Sequence, residues 1–109
     1  MLPLNLPSFP IKVTSKNGKK YVMALLRNKY VALTPDEWVR QHFVNYLISE
    51  KGYPRELLAN EVSIRLNNTA KRCDTVVYDL FLTPLIVIEY KSPNVTVTNA
   101  VFDQIVRYN

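Results

Sequence analysis

The apolar positions along this chain change period twice. Over residues 11–33 they fall in short runs rich in β-branched and aromatic residues: 11–13, 20–25 and 29–33. Lys16-Asn17-Gly18-Lys19 separates the first two runs, and Asn-Gly is the favoured pair of a type I′ turn, so a β-hairpin and a further short strand are expected here. At Thr34-Pro35-Asp36-Glu37 the period becomes helical. Thr34 caps, Pro35 takes the first helical position and Glu37 completes a capping box. Val39, Phe43, Tyr46 and Leu47 follow at helical spacing beside Trp38 and form a core-facing stripe, which Gly52 ends. After a helical turn over 55–59 the period returns to two. Residues 60–66 place Val62, Ile64 and Leu66 on one face and Glu61, Ser63 and Arg65 on the other. Asn67-Asn68-Thr69 then makes a turn.

Two more strands are expected over 72–79 and 84–91. In the second, Leu85 and Val87 lie on one side and Ile86 and Ile88 on the other. Such a strand is covered on both faces and belongs in the middle of a sheet. Pro93 breaks it. Residues 97–108 are read as a second helix, with Thr96 or Thr98 as cap and Val101, Ile105 and Tyr108 at helical spacing.

A hairpin centred between Phe81 and Leu82 sets Asp74 directly opposite Glu89. Opposed Cβ atoms in an antiparallel pair lie roughly 4.5–5.5 Å apart, and like charges there destabilise the sheet. A divalent cation is the candidate that offsets the repulsion. Two carboxylates are hard oxygen ligands suited to Mg2+ or Mn2+. Lys91 projects from the same face as Glu89, two residues further on. A metal there lowers the pKa of bound water, and Lys91 can position that water or stabilise charge on a phosphate, chemistry that hydrolyses a phosphodiester. The plainer alternative is a surface ion pair of Glu89 with Lys71 or Lys91, because Glu-x-Lys is a common tripeptide.

Composition narrows this little. The 109 residues suit one domain, divisible into an N-terminal basic hairpin and strand extension over 1–33 and a core over 34–109. Apolar residues make up 48% and charged residues 21%, as in ordinary soluble proteins. No apolar run approaches the roughly 18 residues of a membrane span. Cys73 is the only cysteine, which excludes an internal disulfide and fits a cytoplasmic location; with His42 as the only histidine, the usual zinc sites are excluded too. The net charge of +5 is uneven: Lys12, Lys16, Lys19, Lys20, Arg27 and Lys29 lie in residues 1–34 without an acid. That segment could face nucleic acid, or it is the solvated face of an edge hairpin.

The order helix, strand, Asp-bearing strand, strand ending in hydrophobic-Glu-x-Lys, then helix resembles the PD-(D/E)xK nuclease core. Four blocks resemble, more narrowly, the N-terminal region of type I restriction enzyme R subunits. They are Thr34-Pro35-Asp36-Glu37-Trp38-Val39-Arg40-Gln41, Lys71-Arg72-Cys73-Asp74-Thr75-Val76-Val77-Tyr78, Ile88-Glu89-Tyr90-Lys91-Ser92-Pro93 and Phe102-Asp103-Gln104-Ile105-Val106-Arg107-Tyr108. The resemblance covers nearly the whole chain. It implies an α/β (α+β-like) restriction-endonuclease-like core with a mixed sheet flanked by helices, and duplex DNA as substrate. It also implies Asp74 and Glu89 as ligands of Mg2+ or Mn2+ and Lys91 as the catalytic lysine.

Gln104 and Tyr108 match a Gln-x-x-x-Tyr motif of such nucleases, where the pair contacts DNA or the active site; the alternative is a core Tyr108 and a surface Gln104. The first-helix acid of some relatives corresponds to Glu37, with Glu61 as the other candidate. Cys73 stands where the motif has proline, and Tyr90 fills its variable position. Family members continue into a further strand and helix and then an ATP-driven translocase, so the core is expected to be C-terminally truncated. With only Gly18 and Gly52 there is no G-x-x-x-x-G-K-[ST] loop, and ATP belongs to a motor domain absent from this chain. Other restriction-complex subunits are the expected partners. A non-catalytic DNA-binding or subunit-docking module is the alternative reading.

Overall fold

A computed structural model of the chain describes residue 6 and residues 8–66, 68–92, 94–99 and 104–108, the last strand by its backbone path. The first sheet is the expected hairpin with one added strand: β1 (Val13–Lys16), β2 (Lys19–Ala24) and β3 (Lys29–Ala32), antiparallel in that order. Asn17 at φ 52° and Gly18 at φ 78° give the two left-handed residues that a type I′ turn requires, and Lys16 pairs with Lys19 across it.

Helix α1 (Pro35–Ser49) starts where the cap was expected, with Glu37 N–H donating to Thr34 Oγ1 at 3.0 Å. The capping box is only half formed. The Glu37 carboxylate accepts from Gln41 Nε2 at 2.7 Å instead. Gly52 takes φ 74° beyond the last turn, and Tyr53 N–H reaches back to Leu47 O at 3.0 Å. A 3-10 turn (Arg55–Leu57) leads into the second sheet.

That sheet orders β4 (Leu58–Leu66), β5 (Thr69–Tyr78), β6 (Pro84–Lys91), β7 (Asn94–Asn99) and β8 (Gln104–Tyr108) as a meander. The strand with two apolar faces, β6, is central as expected. The described pairings are antiparallel throughout, so the sheet is not the expected mixed one, and α1 is the one α-helix among the described residues.

Among the described residues the expected second helix does not form. Residues 94–99 and 104–108 are strands β7 and β8. In Asn-Val-Thr-Val-Thr-Asn, β-branched residues alternate with period two, and β-branched side chains favour the extended backbone. Pairing with β7 also satisfies the second edge of β6, whose backbone groups otherwise lack partners. The proposed break at Pro93 and the helical position Val101 lie outside the described residues.

The core sits between α1 and the five-stranded sheet. Val39, Phe43, Val44 and Leu47 of the helix pack on Leu58, Val77, Ile88, Tyr90 and Val95. The opposite face of the sheet carries a smaller cluster of Cys73, Val76 and Val87. The first sheet is fastened to the helix by the buried Gln41, whose Oε1 accepts from Leu25 N–H at 2.8 Å. At the β5–β6 turn Asp79 Oδ1 accepts from the N–H groups of Phe81 and Thr83, and Leu80, Phe81 and Leu82 stand exposed.

Candidate functional site

The β5–β6 pairing follows the expected register. Thr75 opposes Ile88, Val76 opposes Val87 and Val77 opposes Ile86, with a bulge near the turn at Val77/Tyr78. The described pairs end there, and Asp74 and Glu89 are the next residues on the two strands. The two acids differ in what they hold. Asp74 is half-buried, and its Oδ2 accepts from the Tyr90 N–H at 2.9 Å. Glu89 Oε1 lies 2.7 Å from Lys71 Nζ, and both side chains are partly exposed, at 39% and 46%. Of the two ion pairs that the sequence allowed for Glu89, the one with Lys71 forms. Lys91 ends β6 opposite Asn94 and is exposed.

Tyr90 lies between Glu89 and Lys91 but faces the helix. Alternation places it with Ile86 and Ile88, and it is buried against α1. Its hydroxyl donates to Thr75 Oγ1 at 2.9 Å, and Thr75 Oγ1 donates to Asn60 Oδ1 at 2.7 Å. A polar relay thus crosses β6, β5 and β4 beneath the helix. Arg40 of α1 lies 5.9 Å from the Tyr90 ring centroid. The helix is tied to the end of β6 a second time, by Asp36 Oδ1 accepting from Ser92 N–H at 2.8 Å.

Glu61 is apart from Asp74 and Glu89 in its contacts. Its carboxylate pairs with Arg27 at 2.9 Å, Arg40 at 3.5 Å and Arg72 at 3.7 Å. Glu37 also lies 3.6 Å from Arg40. Both tentative acids therefore share Arg40, and neither is brought to Glu89 by a described hydrogen bond or ion pair. Gln104 and Tyr108 lie on β8, not on a helix, and pair with Asn99 and Val95 on β7. The i,i+4 argument for a shared helix face does not hold on a strand. Their side chains lie outside the described residues.

The electrostatics follow these contacts. For Glu61, partial burial alone pushes the carboxyl up, but hydrogen bonds and charge from Arg27 and Arg40 outweigh it and hold the carboxyl below its ordinary range. The Glu89 carboxylate raises the Lys71 ammonium, against the opposing pull of burial. Burial pushes the Cys73 thiol up, so it is not an activated thiolate. Burial likewise drives the Tyr90 hydroxyl far above its usual value, with Thr75 and Arg40 opposing.

Asp36, Arg40, Lys71, Thr75 and Tyr90 all shape this region. The alternation that placed Ile86 and Ile88 was enough to place Tyr90 inward. Asp36 had no such signal, because its partner is a backbone amide 56 residues away.

Among the described residues no group of three His, Cys, Asp or Glu side chains could hold a metal ion. Two carboxylates remain a chemically suitable set. Mg2+ is commonly held by one or two carboxylates, with water and substrate phosphate oxygens completing the shell. Glu89 already binds one cation, the Lys71 ammonium.

Among the described residues the fold is that of an α+β protein of two antiparallel sheets and one α-helix, with Glu89 of the central strand paired to Lys71 of β5. The chain belongs to the family described as type I restriction enzyme R protein N terminus (HSDR_N), whose model matches residues 35–109. No curated protein and no solved structure matches the chain significantly. No helix among the described residues is long and apolar enough to cross a membrane.

Proposed function

We propose that this chain carries the nuclease site of a type I restriction R-subunit-like protein and hydrolyses phosphodiester bonds of duplex DNA with Mg2+ or Mn2+. The observation that supports this reading is the Tyr90 N–H to Asp74 Oδ2 bond of 2.9 Å, which ties Asp74 on β5 to the residue between Glu89 and Lys91 on β6. Membership of the R-protein N-terminal family supports it.

Asp74 and Glu89 would hold the metal. Bound there, it would supply a water of lowered pKa and a Lewis acid for phosphoryl oxygen. Asp74 keeps Oδ1 for such a role while Oδ2 accepts from Tyr90 N–H. Lys91, exposed at the strand end, orients the attacking water or meets the charge developing on the phosphate. The buried Tyr90 ring and the Asp36 to Ser92 bond fix the backbone on both sides of Lys91. In the R-subunit setting, other restriction-complex subunits and a translocase domain are the partners. Cleavage of duplex DNA in Mg2+ by the full-length protein tests the reading. Lys91→Ala is expected to lose cleavage while folding normally, and a variant that cuts as well as the parent would refute the role.

One observation favours a second reading, a non-catalytic DNA-binding module. Lys12, Lys16, Lys19, Lys20 and Lys29 are all exposed on or beside the first sheet. DNA binding that needs no metal and survives Glu89→Ala would support it.

A further inference from the structure

Strict alternation along β5 puts Lys71 on the face opposite Asp74 and Val76, and so away from Glu89. The ion pair shows that it is not there. Cys73 and Val76 are three residues apart, yet both pack with Val87 in one cluster, joined by Val62 and Ile64 of β4. Alternation is therefore broken between Cys73 and Val76. The β4–β5 ladder locates the break: Asn60 pairs with Thr75 and Val62 with Cys73, while Glu61 and Asp74 between them are skipped.

Glu61 has φ 55°, a left-handed conformation that a glutamate rarely adopts. Its three arginine partners hold the carboxylate in place. The turn of both strands at this point brings Cys73 and then Lys71 round to the Val87 and Glu89 face. The Lys71 ammonium ends 2.7 Å from Glu89 Oε1.

We propose that Lys71 is the resident cation of the Asp74/Glu89 site, holding Glu89 until a divalent ion displaces it, and so sets the metal concentration at which the site loads. This rests on the nuclease reading. Lys71 here is a positioning residue for Glu89, separate from the water-directing role given to Lys91. Displacement costs the incoming ion one partly exposed ion pair, so removing the ammonium strengthens binding modestly.

The test is Mn2+ titration of the full-length protein by calorimetry, without DNA, for the wild type, Lys71→Met, Lys71→Gln, Lys71→Arg and Asp74→Asn. Thermal melts in chelator confirm folding, and two neutral variants guard against one failing to fold. Lys71→Met and Lys71→Gln are expected to lower the half-saturating Mn2+ concentration about two- to fivefold, the scale of one exposed ion pair. Lys71→Arg, which keeps the charge, is expected to stay near the wild type, whereas a merely structural role for the side-chain stem predicts that Lys71→Met, which keeps most of the stem, stays there too. If Asp74→Asn loses binding but the neutral Lys71 variants titrate like the wild type or more weakly, the Lys71 inference alone is overturned. If the wild type shows no saturable Mn2+ binding, or Asp74→Asn binds equally well, the metal reading falls and this inference with it.

Discussion

The backbone N–H of Tyr90 donates to Asp74 Oδ2 at 2.9 Å, so the acid on β5 is tied to the one residue that separates Glu89 from Lys91 on β6. Where the regular β5–β6 ladder stops at Thr75 and Ile88, this side-chain bond continues the pairing by one step. Asp74 thus has a structural task independent of any metal.

The two tasks can be separated by substitution. Asp74→Ala removes the acceptor from a half-buried amide and is expected to cost about 1–3 kcal/mol in urea unfolding. Asp74→Asn keeps a side-chain oxygen for the Tyr90 N–H and is expected to lose less than half as much. It nevertheless removes the charge that a divalent ion would use in the proposed site. Stabilisation by Mn2+ in thermal melts should therefore vanish in a protein that is otherwise folded. Equal destabilisation by both substitutions would show that the Tyr90 bond does not depend on an oxygen acceptor.

Tyr90 itself makes stability sensitive to alkali. Its ionisation is suppressed in the folded state by burial, so its folded pKa lies above the unfolded value of about 10. The folded state then holds a proton that the unfolded state gives up. The resulting stability is complete below about pH 10 and is lost as pH rises from there toward the folded pKa. Tyr90→Phe removes the bond to Thr75 Oγ1 and is expected to cost about 0.5–1.5 kcal/mol at pH 7. Above pH 10 the variant should lose stability less steeply, by one proton in the slope. Parallel pH profiles for the two proteins would contradict this.

Much of this arrangement was legible in the residues, where local chemistry and tertiary demand agree. Asn17-Gly18 fits its turn, Thr34-Pro35 starts its helix, and the double-sided apolar pattern of 85–88 marks the central strand. The hairpin centre between Phe81 and Leu82 gives the observed β5–β6 register. The segment after Lys91 departs from the expected helix because two periods compete there. Val97, Val101, Ile105 and Tyr108 fit a helix, while Val95, Thr96, Val97 and Thr98 fit a strand, and the open edge of β6 favours the strand. The switch at Glu61 leaves no mark in the sequence. A glutamate gives no cue for φ 55°, and its three arginine partners come from three other elements: the β2–β3 turn, α1 and β5. That switch is why Lys71 reaches Glu89 at all.

The arginines around Glu61 lead to an acid-side prediction. Its carboxyl is held below the ordinary value, so its contribution to stability is present above the unfolded pKa of about 4.3 and is lost as pH falls through the folded value. The carboxylate is 40% exposed, which limits the whole network to about 1 kcal/mol after solvent screening. Glu61→Gln should show a deficit of that size in urea unfolding at pH 7 and a smaller one at pH 3. A deficit that persists unchanged at pH 3 would mean that the charge is not its source.

Lys16 and Lys19 oppose each other across the first hairpin, and Lys20 follows, all three exposed. Directly opposed like charges weaken a sheet, so an anionic partner would be stabilising there. If DNA is that partner, each lysine that neutralises a phosphate contributes about 0.9 to the slope of log affinity against log salt. Replacing Lys16, Lys19 and Lys20 by Gln should then make the slope shallower by up to about 2.7 and weaken binding to unrelated duplexes alike. With Glu89→Ala as a parallel variant, a slope changed only by the lysine substitutions would separate hairpin contacts from the carboxylate cluster. An unchanged slope and affinity in the triple variant would leave these lysines with solubility and edge protection alone.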